Sequence, residues 1–408
     1  MTDHLGPALA GTSPGTSPGV TAAAGFRASG VTAGLKASGS PDLALVVNDG
    51  PRQAAAAVFT TNRMVGAPVV WSRQVVSDGV VSAVVLNSGG ANVSTGPEGF
   101  LDAHLTAERV ATALGVSAGD VVVCSTGLIG ERLPRETLLT GVDLAAAALA
   151  PDAGPQAARA IMTTDSVPKT AHVTVDTPDG SFTVGGMAKG AGMLAPAMAT
   201  MLCVVTTDAD VEARVLDAAL RAATAVTFDR VDSDGCMSTS DTVTLLASGA
   251  SGVAPSLDVL ADAVLRVCAS LARQLVADAE GASHDVAVHV VGATSQDAAL
   301  AVARAVTRSN LFKTAIFGND PNWGRVLAQV GTVPEAVAPF DPEAVDVSMN
   351  GVMVCQAARV HADRSDVDLA SAREVHVVVD LHAGDASATV WSNDLTHDYV
   401  HENSAYST

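Results

Sequence analysis

Aromatic side chains are scarce in this chain: Phe, Trp and Tyr together make up 3% of 408 residues, although 48% are hydrophobic. Ala, Val, Gly and Leu must therefore fill any core, and such small side chains suit closely stacked sheets and helices. Basic residues are also few. Lys and Arg number 23 against 43 Asp and Glu, a formal net charge of −20. That balance argues against nucleic acid, whose binding depends on clustered cations facing phosphates. No run of 18 or more apolar residues occurs, so no transmembrane helix is expected. The opening residues are rich in Gly, Thr, Ser, Pro and Ala, with no basic start and no apolar stretch behind it. This is not a secretory signal, and residues 1–25 read as a disordered tail. The five cysteines (Cys124, Cys203, Cys236, Cys268, Cys355) form no C-x-x-C pair. Such a dispersed, odd set points to reduced, mostly buried thiols in a cytoplasmic protein. No His, Cys and Asp cluster has metal-ligand spacing, so no metal is expected.

What is present is an alternation of short apolar runs and helical spacing. A chain of this size exceeds the usual ~100–200 residues per domain, so one large or two intimately packed domains are expected. Residues 43–47, 55–59, 82–86 and 121–124 read as buried strands, and 102–114 as a helix. Helices at 144–149 and 155–162 precede a hairpin of 171–176 and 181–185. The second half gives strands at 201–206, 242–246 and 286–291, and helices at 211–223, 257–279 and 296–306. A β-rich end follows at 345–349, 352–355, 375–381 and 387–391. Mixed runs without regular βαβ repeats indicate an α+β fold of layered sheets and helices.

The segment Met187-Ala-Lys-Gly-Ala-Gly-Met-Leu-Ala-Pro-Ala-Met-Ala199-Thr200-Met201-Leu202 carries the most chemistry. A hydroxyl is a weak nucleophile until a base takes its proton. Cleavage between Ala199 and Thr200 would give Thr200 its own base, a free α-amine that titrates at roughly 7.7–8.0, near the pH where a general base works best. Ala199 leaves the scissile carbonyl open. From spacing alone a second reading stands beside it: a glycine turn feeding a buried strand, with an incidental threonine.

The run Lys189 to Leu202 closely resembles the signature of the ArgJ family, the ornithine acetyltransferases of arginine biosynthesis. Further blocks resemble the family in its own order: Asn87-Ser-Gly-Gly-Ala-Asn92, Cys124-Ser-Thr-Gly-Leu-Ile-Gly130, Met162-Thr-Thr-Asp165, Asp278-Ala-Glu-Gly281, Gly318-Asn-Asp-Pro-Asn-Trp-Gly-Arg325 and Glu402-Asn-Ser-Ala-Tyr-Ser-Thr408. The pattern commonly has Asn where this chain has Ser240. The resemblance covers the chain from about Phe26 to its last residue.

That resemblance implies sheet-and-helix sandwich lobes of the ArgJ/DmpA-like kind around a shared cleft, self-cleaved into an α chain (26–199) and a β chain (200–408). It implies Thr200 as nucleophile and Thr126 with Gly127 as oxyanion hole. Thr163, Lys189, Thr200, Glu280, Asn403 and Thr408 become substrate contacts. The implied reaction is ping-pong transfer of acetyl from N2-acetylornithine to glutamate through an acyl-enzyme, without a cofactor. Acetyl-CoA-dependent amino-acid N-acetylation is a second activity that the family allows, and paired αβ heterodimers are its implied assembly. The rival reading is a self-cleaving N-terminal-nucleophile aminopeptidase or amidase, which passes the acyl group to water. On the residues themselves, Thr126-Gly127 reads as an ordinary strand-ending turn or as one where a hydroxyl and an N–H both point outward. Lys189 reads as a solvated surface lysine or as a positive charge for a carboxylate. Glu280, at the end of a predicted helix, could equally be an exposed cap, although a carboxylate is electrostatically unfavourable there. Asn319–Arg325 reads equally as a border of the site or as a rigid turn.

Overall fold

In the computed structural model, which describes residues 17–195 and 201–405, two sheets stack face to face between helices, and a third sheet forms a second lobe. The first sheet is ordered β1-β2-β4-β5, from β1 (Phe26–Val31), β2 (Leu43–Asn48), β4 (Ala83–Asn87) and β5 (Val121–Ser125). The second runs β3-β9-β8-β7-β6, from β3 (Ala54–Phe59), β6 (Lys169–Thr177), β7 (Gly180–Lys189), β8 (Leu202–Thr207) and β9 (Thr242–Ala247). Strands β2, β4, β5, β8 and β9 are buried at every residue, because a sheet covered on both faces needs continuous apolar runs rather than alternation. Val46, Val84, Leu86 and Cys124 of the first sheet meet Met187, Leu202, Val204 and Leu246 of the second in one shared core.

The outer faces are covered by helices. Helices α2 (Gly96–Leu114) and α3 (Arg135–Ala147) close the first sheet, and α5 (Ala213–Val226) and α6 (Leu257–Ala277) close the second. Helix α6 begins at Ser256, whose hydroxyl accepts from the Val259 N–H at 3.4 Å. It buries Leu260, Ala263, Val264, Val267, Leu271 and Leu275, the stripe expected of an amphipathic helix. Helix α1 (Ala67–Val75) lies beside β5, and α4 (Gly154–Ala160) contributes Ala157, Ala158 and Ala160 to the core between the sheets. Two expected helices were short of their true extent: α2 starts at Gly96 with Pro97 in its first turn, a position that costs no helical hydrogen bond, and the helix read at 144–149 is the end of α3.

The second lobe is a six-stranded sheet ordered β13-β12-β11-β14-β10-β15. Its strands are β10 (Asp285–Ala293), β11 (Asp346–Met349), β12 (Val352–Gln356), β13 (Arg359–Val360), β14 (Glu374–Asp380) and β15 (Ala386–Asn393), packed against α7 (Gln296–Thr307), α8 (Asn310–Phe317) and α9 (Trp323–Val330). Helix α10 (His397–Ala405) follows β15.

Two expectations need correction. The lobes do not divide at 199/200: β7 pairs with β8 and β3 with β9, so residues from both sides of that point build one sheet, and the layers change only after α6. The tail expected through residue 25 ends earlier. Residues 19–21 form a 3-10 turn with Val20 fully buried, the Thr206 hydroxyl donates to the Val20 carbonyl at 2.9 Å, and the Ala24 N–H donates to Asp208 at 3.0 Å.

Candidate active site

Lys189 is the last residue of β7 and pairs directly with Leu202, near the start of β8. The chain leaves β7 at Gly190 and is fixed again at Met201, whose N–H donates to the Asp241 carboxyl at 2.9 Å and whose carbonyl accepts from Thr242 at 3.2 Å. Ala199 and Thr200 lie outside the described residues, as does Thr408.

Three lysines and their carboxylates gather under this point. Lys189 is 1% exposed, and its ammonium donates to the Thr163 hydroxyl at 3.2 Å. Burial pushes its pKa down to about 8, while Asp165 and Asp241 pull it upward and Lys169 and Lys36 press it down. Asp165 ties Lys189's chain neighbour to Lys189's partner: its carboxylate accepts from the Gly190 N–H at 2.7 Å and the Thr163 N–H at 3.0 Å. Lys169, fully buried, lies 2.6 Å from both Asp165 and Asp278. Burial works against ionisation of Asp165, yet the Lys169 and Lys189 ammoniums hold its carboxyl below the ordinary range. Asp278 in turn accepts from the Ser166 N–H at 3.0 Å. Sequence reasoning missed Asp165, Lys169 and Asp278 as members of the site. The available signal was the Asp165/Lys169 spacing of four just as a strand begins.

Asp278 leads to Glu280. The Glu280 N–H donates to the Ala191 carbonyl at 3.1 Å, which sets its half-buried carboxylate beside Gly192. A Cβ at Gly192 would fall 2.6 Å from either Glu280 oxygen, so a side chain at 192 would displace the carboxylate from this position. Asn403, on α10, donates to Glu280 at 3.0 Å. Thr163, Lys189, Glu280 and Asn403 are thus joined through the turn at 190–192.

Thr126 and Gly127 follow β5. The Thr126 N–H donates to the Asn87 carbonyl, and its own carbonyl accepts from Gly90, each at 3.0 Å. Gly127 has φ +128, and a Cβ there would lie 2.8 Å from the Gly90 nitrogen. The conformation and the close approach both require glycine. Just before this turn, the Cys124 thiol meets the Thr242 hydroxyl, and Thr242 pairs with Leu202. The Thr126 turn and the Lys189 end of the second sheet therefore belong to the same end of the sandwich. Burial pushes the thiols of Cys124 and Cys268 up to about 12, which leaves them as packing groups.

Asn319–Arg325 forms the turn from α8 into the first turn of α9. Asn319 has φ +53, and the Asn322 side chain accepts from the Arg325 N–H at 3.2 Å to start α9. Among the described residues no group of three or more His, Cys, Asp and Glu could hold a metal ion.

Chemically, the arrangement offers a buried cation at Lys189 and a carboxylate at Glu280 on either side of one short turn. A small molecule carrying both a carboxylate and an ammonium would match that polarity.

The ArgJ family model matches residues 27–408. A Streptomyces coelicolor protein called arginine biosynthesis bifunctional protein ArgJ is 62% identical over 388 residues, covering 95% of this chain and 99% of its own length. A Thermobifida fusca protein of the same name is 59% identical, covering 95% of this chain and all of its own, 100%. Among solved structures, ornithine acetyltransferase from Mycobacterium tuberculosis, complexed with ornithine, is 55% identical and covers 45% of this chain and 96% of that chain, with a TM-score of 0.42.

Proposed function

Because this chain belongs to the ArgJ family, an acyltransferase family of arginine biosynthesis, we propose that it moves acetyl from N2-acetylornithine to glutamate on a threonine that it exposes by cutting itself. In the precursor the Thr200 hydroxyl attacks the Ala199 carbonyl carbon. The bond to the Thr200 nitrogen breaks, that nitrogen takes the proton, and water hydrolyses the resulting ester to leave Ala199 as a carboxylate. The freed amine then serves as base for the same hydroxyl. Thr200 attacks the acetyl carbonyl, ornithine leaves with a proton, and the amine of glutamate takes the acetyl group in the second half-reaction.

Thr126 and Gly127 supply donors for the oxyanion. Lys189, steadied by Thr163, holds a substrate carboxylate and opposes protonation of the Thr200 amine. Glu280, oriented by Asn403, holds the side-chain ammonium of ornithine, and Thr408 closes the site. The observation that carries this reading is the junction of Thr163–Lys189 and Glu280–Asn403 through residues 190–192, upstream of the proposed cut in the same stretch between β7 and β8. The word bifunctional in the relatives' names supports a second, acetyl-CoA-dependent acetylation of glutamate. In this reading the enzyme works in the cytoplasm as two αβ pairs.

Intact-mass measurement after brief exposure to N2-acetylornithine tests the proposal. Two pieces divided at Ala199/Thr200, with one acetyl on the piece that begins at Thr200, are expected. Divided pieces that release acetate to water faster than to glutamate would favour the aminopeptidase or amidase reading. A single uncut chain would overturn the proposal.

A further inference from the structure

The chain is held on both sides of the proposed cut by one loop, residues 231–241, which runs from the 3-10 turn Phe228–Arg230 to β9. Upstream of the cut, the N–H groups of Ser233 and Asp234 donate to the Leu194 carbonyl at 2.5 and 3.3 Å. The Asp234 carboxylate faces the N–H groups of Leu194 and Met193 in return and accepts from Cys236 at 3.1 Å. Met193 has φ +54, a left-handed conformation that costs a side-chain-bearing residue energy and persists only where surroundings impose it. Downstream, Asp241 is fully buried and accepts the Met201 N–H at 2.9 Å. The Ser238 side chain also hydrogen-bonds this carboxyl, and burial pushes its pKa well above the ordinary carboxylate range.

The loop is in turn fixed to the rest of the molecule. Asp232 N–H donates to the Trp391 carbonyl at 2.8 Å, the Ser233 hydroxyl donates to Asn393 at 2.8 Å, and the Lys313 ammonium donates to the Ser233 carbonyl. At its far end the Ser238 carbonyl accepts from Thr60 at 2.7 Å and the Met237 carbonyl from Asn62 at 3.0 Å. Trp391 and Asn393 belong to β15, and Lys313 to α8, so the second lobe anchors the loop's first half.

We propose that loop 231–241 is a brace for self-processing, in which Asp234 and Asp241 are positioning residues that fix the backbone at Met193–Leu194 and at Met201, on either side of the proposed cut, and so set the rate of cutting. This rests on the reading that the chain cuts itself at Ala199/Thr200. It gives the second lobe a task in maturation, since its strand β15 and helix α8 hold the brace. A threonine hydroxyl must be brought into near-attack distance of its own preceding carbonyl, and misplacement by about 1 Å can cost on the order of 100-fold in rate.

The test follows the fraction of full-length chain cut over time in cell-free synthesis. Wild type, Thr200→Ala, Asp234→Ala, Asp241→Ala and Asp241→Asn are compared, with the thermal midpoint of each chain measured in parallel. Asp241→Asn keeps an acceptor for the Met201 N–H and is expected to cut within about threefold of wild type. Asp241→Ala and Asp234→Ala lose the acceptors and are expected to cut ~10–100-fold more slowly, with thermal midpoints that do not order the variants as the rates do. Wild-type rates in both alanine variants would overturn the brace. So would equal slowing in Asp241→Ala and Asp241→Asn that tracks a fall in thermal midpoint, because that pattern marks a loop needed only for folding. A wild-type chain that stays whole would instead bring down the parent reading, and this inference with it.

Discussion

Lys189 and Leu202 face each other across the β7–β8 pairing, so the stretch that holds the proposed cut begins and ends at neighbouring points of one sheet. A break inside such a closed loop leaves both new ends tethered where they were made. The chemistry proposed for Thr200 depends on that, since its base, its oxyanion donors and its substrate contacts come from both sides of the break.

Thr126→Val removes a hydroxyl and keeps the shape. If Thr126 meets the oxyanion, kcat should fall by ~100–1,000-fold with the protein folded as before, in the range that loss of one such donor usually gives. Steady-state transfer of acetyl to glutamate measures it. Gly127→Ala should instead damage the turn itself, because a Cβ would press on the Gly90 backbone at 2.8 Å.

Glu280→Gln should raise KM for N2-acetylornithine by ~10–100-fold, the worth of a hydrogen bond to a charged group. The effect on kcat should be smaller. Gly192→Ala forces a methyl group to within 2.6 Å of the same carboxylate and should mimic that loss. Equal KM values in wild type and both variants would remove Glu280 from the substrate's path.

Lys169→Met strands two carboxylates that now share one ammonium in a fully buried setting. Breaking a buried ion pair by deleting one partner typically costs about 3–5 kcal/mol. Urea unfolding of the variant should show a midpoint lowered accordingly, and a change within error would mean that water enters this cluster freely.

Lys189 carries a pH signature of definite sign. Its native pKa of about 8 lies below its ordinary 10.5. Between those values the unfolded chain binds the additional proton, so this group's share of stability rises from about pH 8 to about 10.5, and its penalty is fully present below 8. Substrate capture runs the opposite way, because a neutral amine holds no carboxylate, and kcat/KM should decline above about pH 8. Lys189→Arg keeps its charge through that range, so whatever activity it retains should lose the alkaline decline. An unchanged profile would assign the decline to another group.

The strands were legible because a sheet covered on both faces writes itself as unbroken apolar runs: Leu43–Asn48, Val121–Ser125 and Thr242–Ala247 lie where such runs occur. Helix α1 and helix α10 were not. The first is short, begins on Ala67-Pro68 and has a serine, Ser72, within its buried stripe, and the second is mostly polar with no buried residue. Lys189, Glu280 and the Thr126-Gly127 turn stand out through the family resemblance rather than by residue type, since each also reads as an ordinary surface lysine, helix-end cap or strand-ending turn. Asp165, Lys169 and Asp278 escaped because each is an ordinary charged residue until folding brings β6 against the end of α6. Asp234 and Asp241 escaped for a related reason: their contacts are to backbone groups of Leu194 and Met201, which no side-chain motif records. The lobe boundary does not follow the proposed cut, because β3 finds its partner in β9 and β7 in β8, pairings that no local stretch of sequence records.

That interleaved second sheet has a consequence for the life of the protein. Strands β3, β6 and β7 precede the proposed cut, and β8 and β9 follow it. If the chain is cut there, the β3–β9 and β7–β8 pairings join the two pieces, while β6–β7 and β8–β9 each stay within one. Maturation would thus spend the covalent connection that made folding a first-order event. Heating the cut form should be a one-way journey, with recovery that depends on protein concentration and competes with aggregation of bare strand edges. The organism's remedy for a damaged copy would be synthesis of a new precursor, not repair of the old pair.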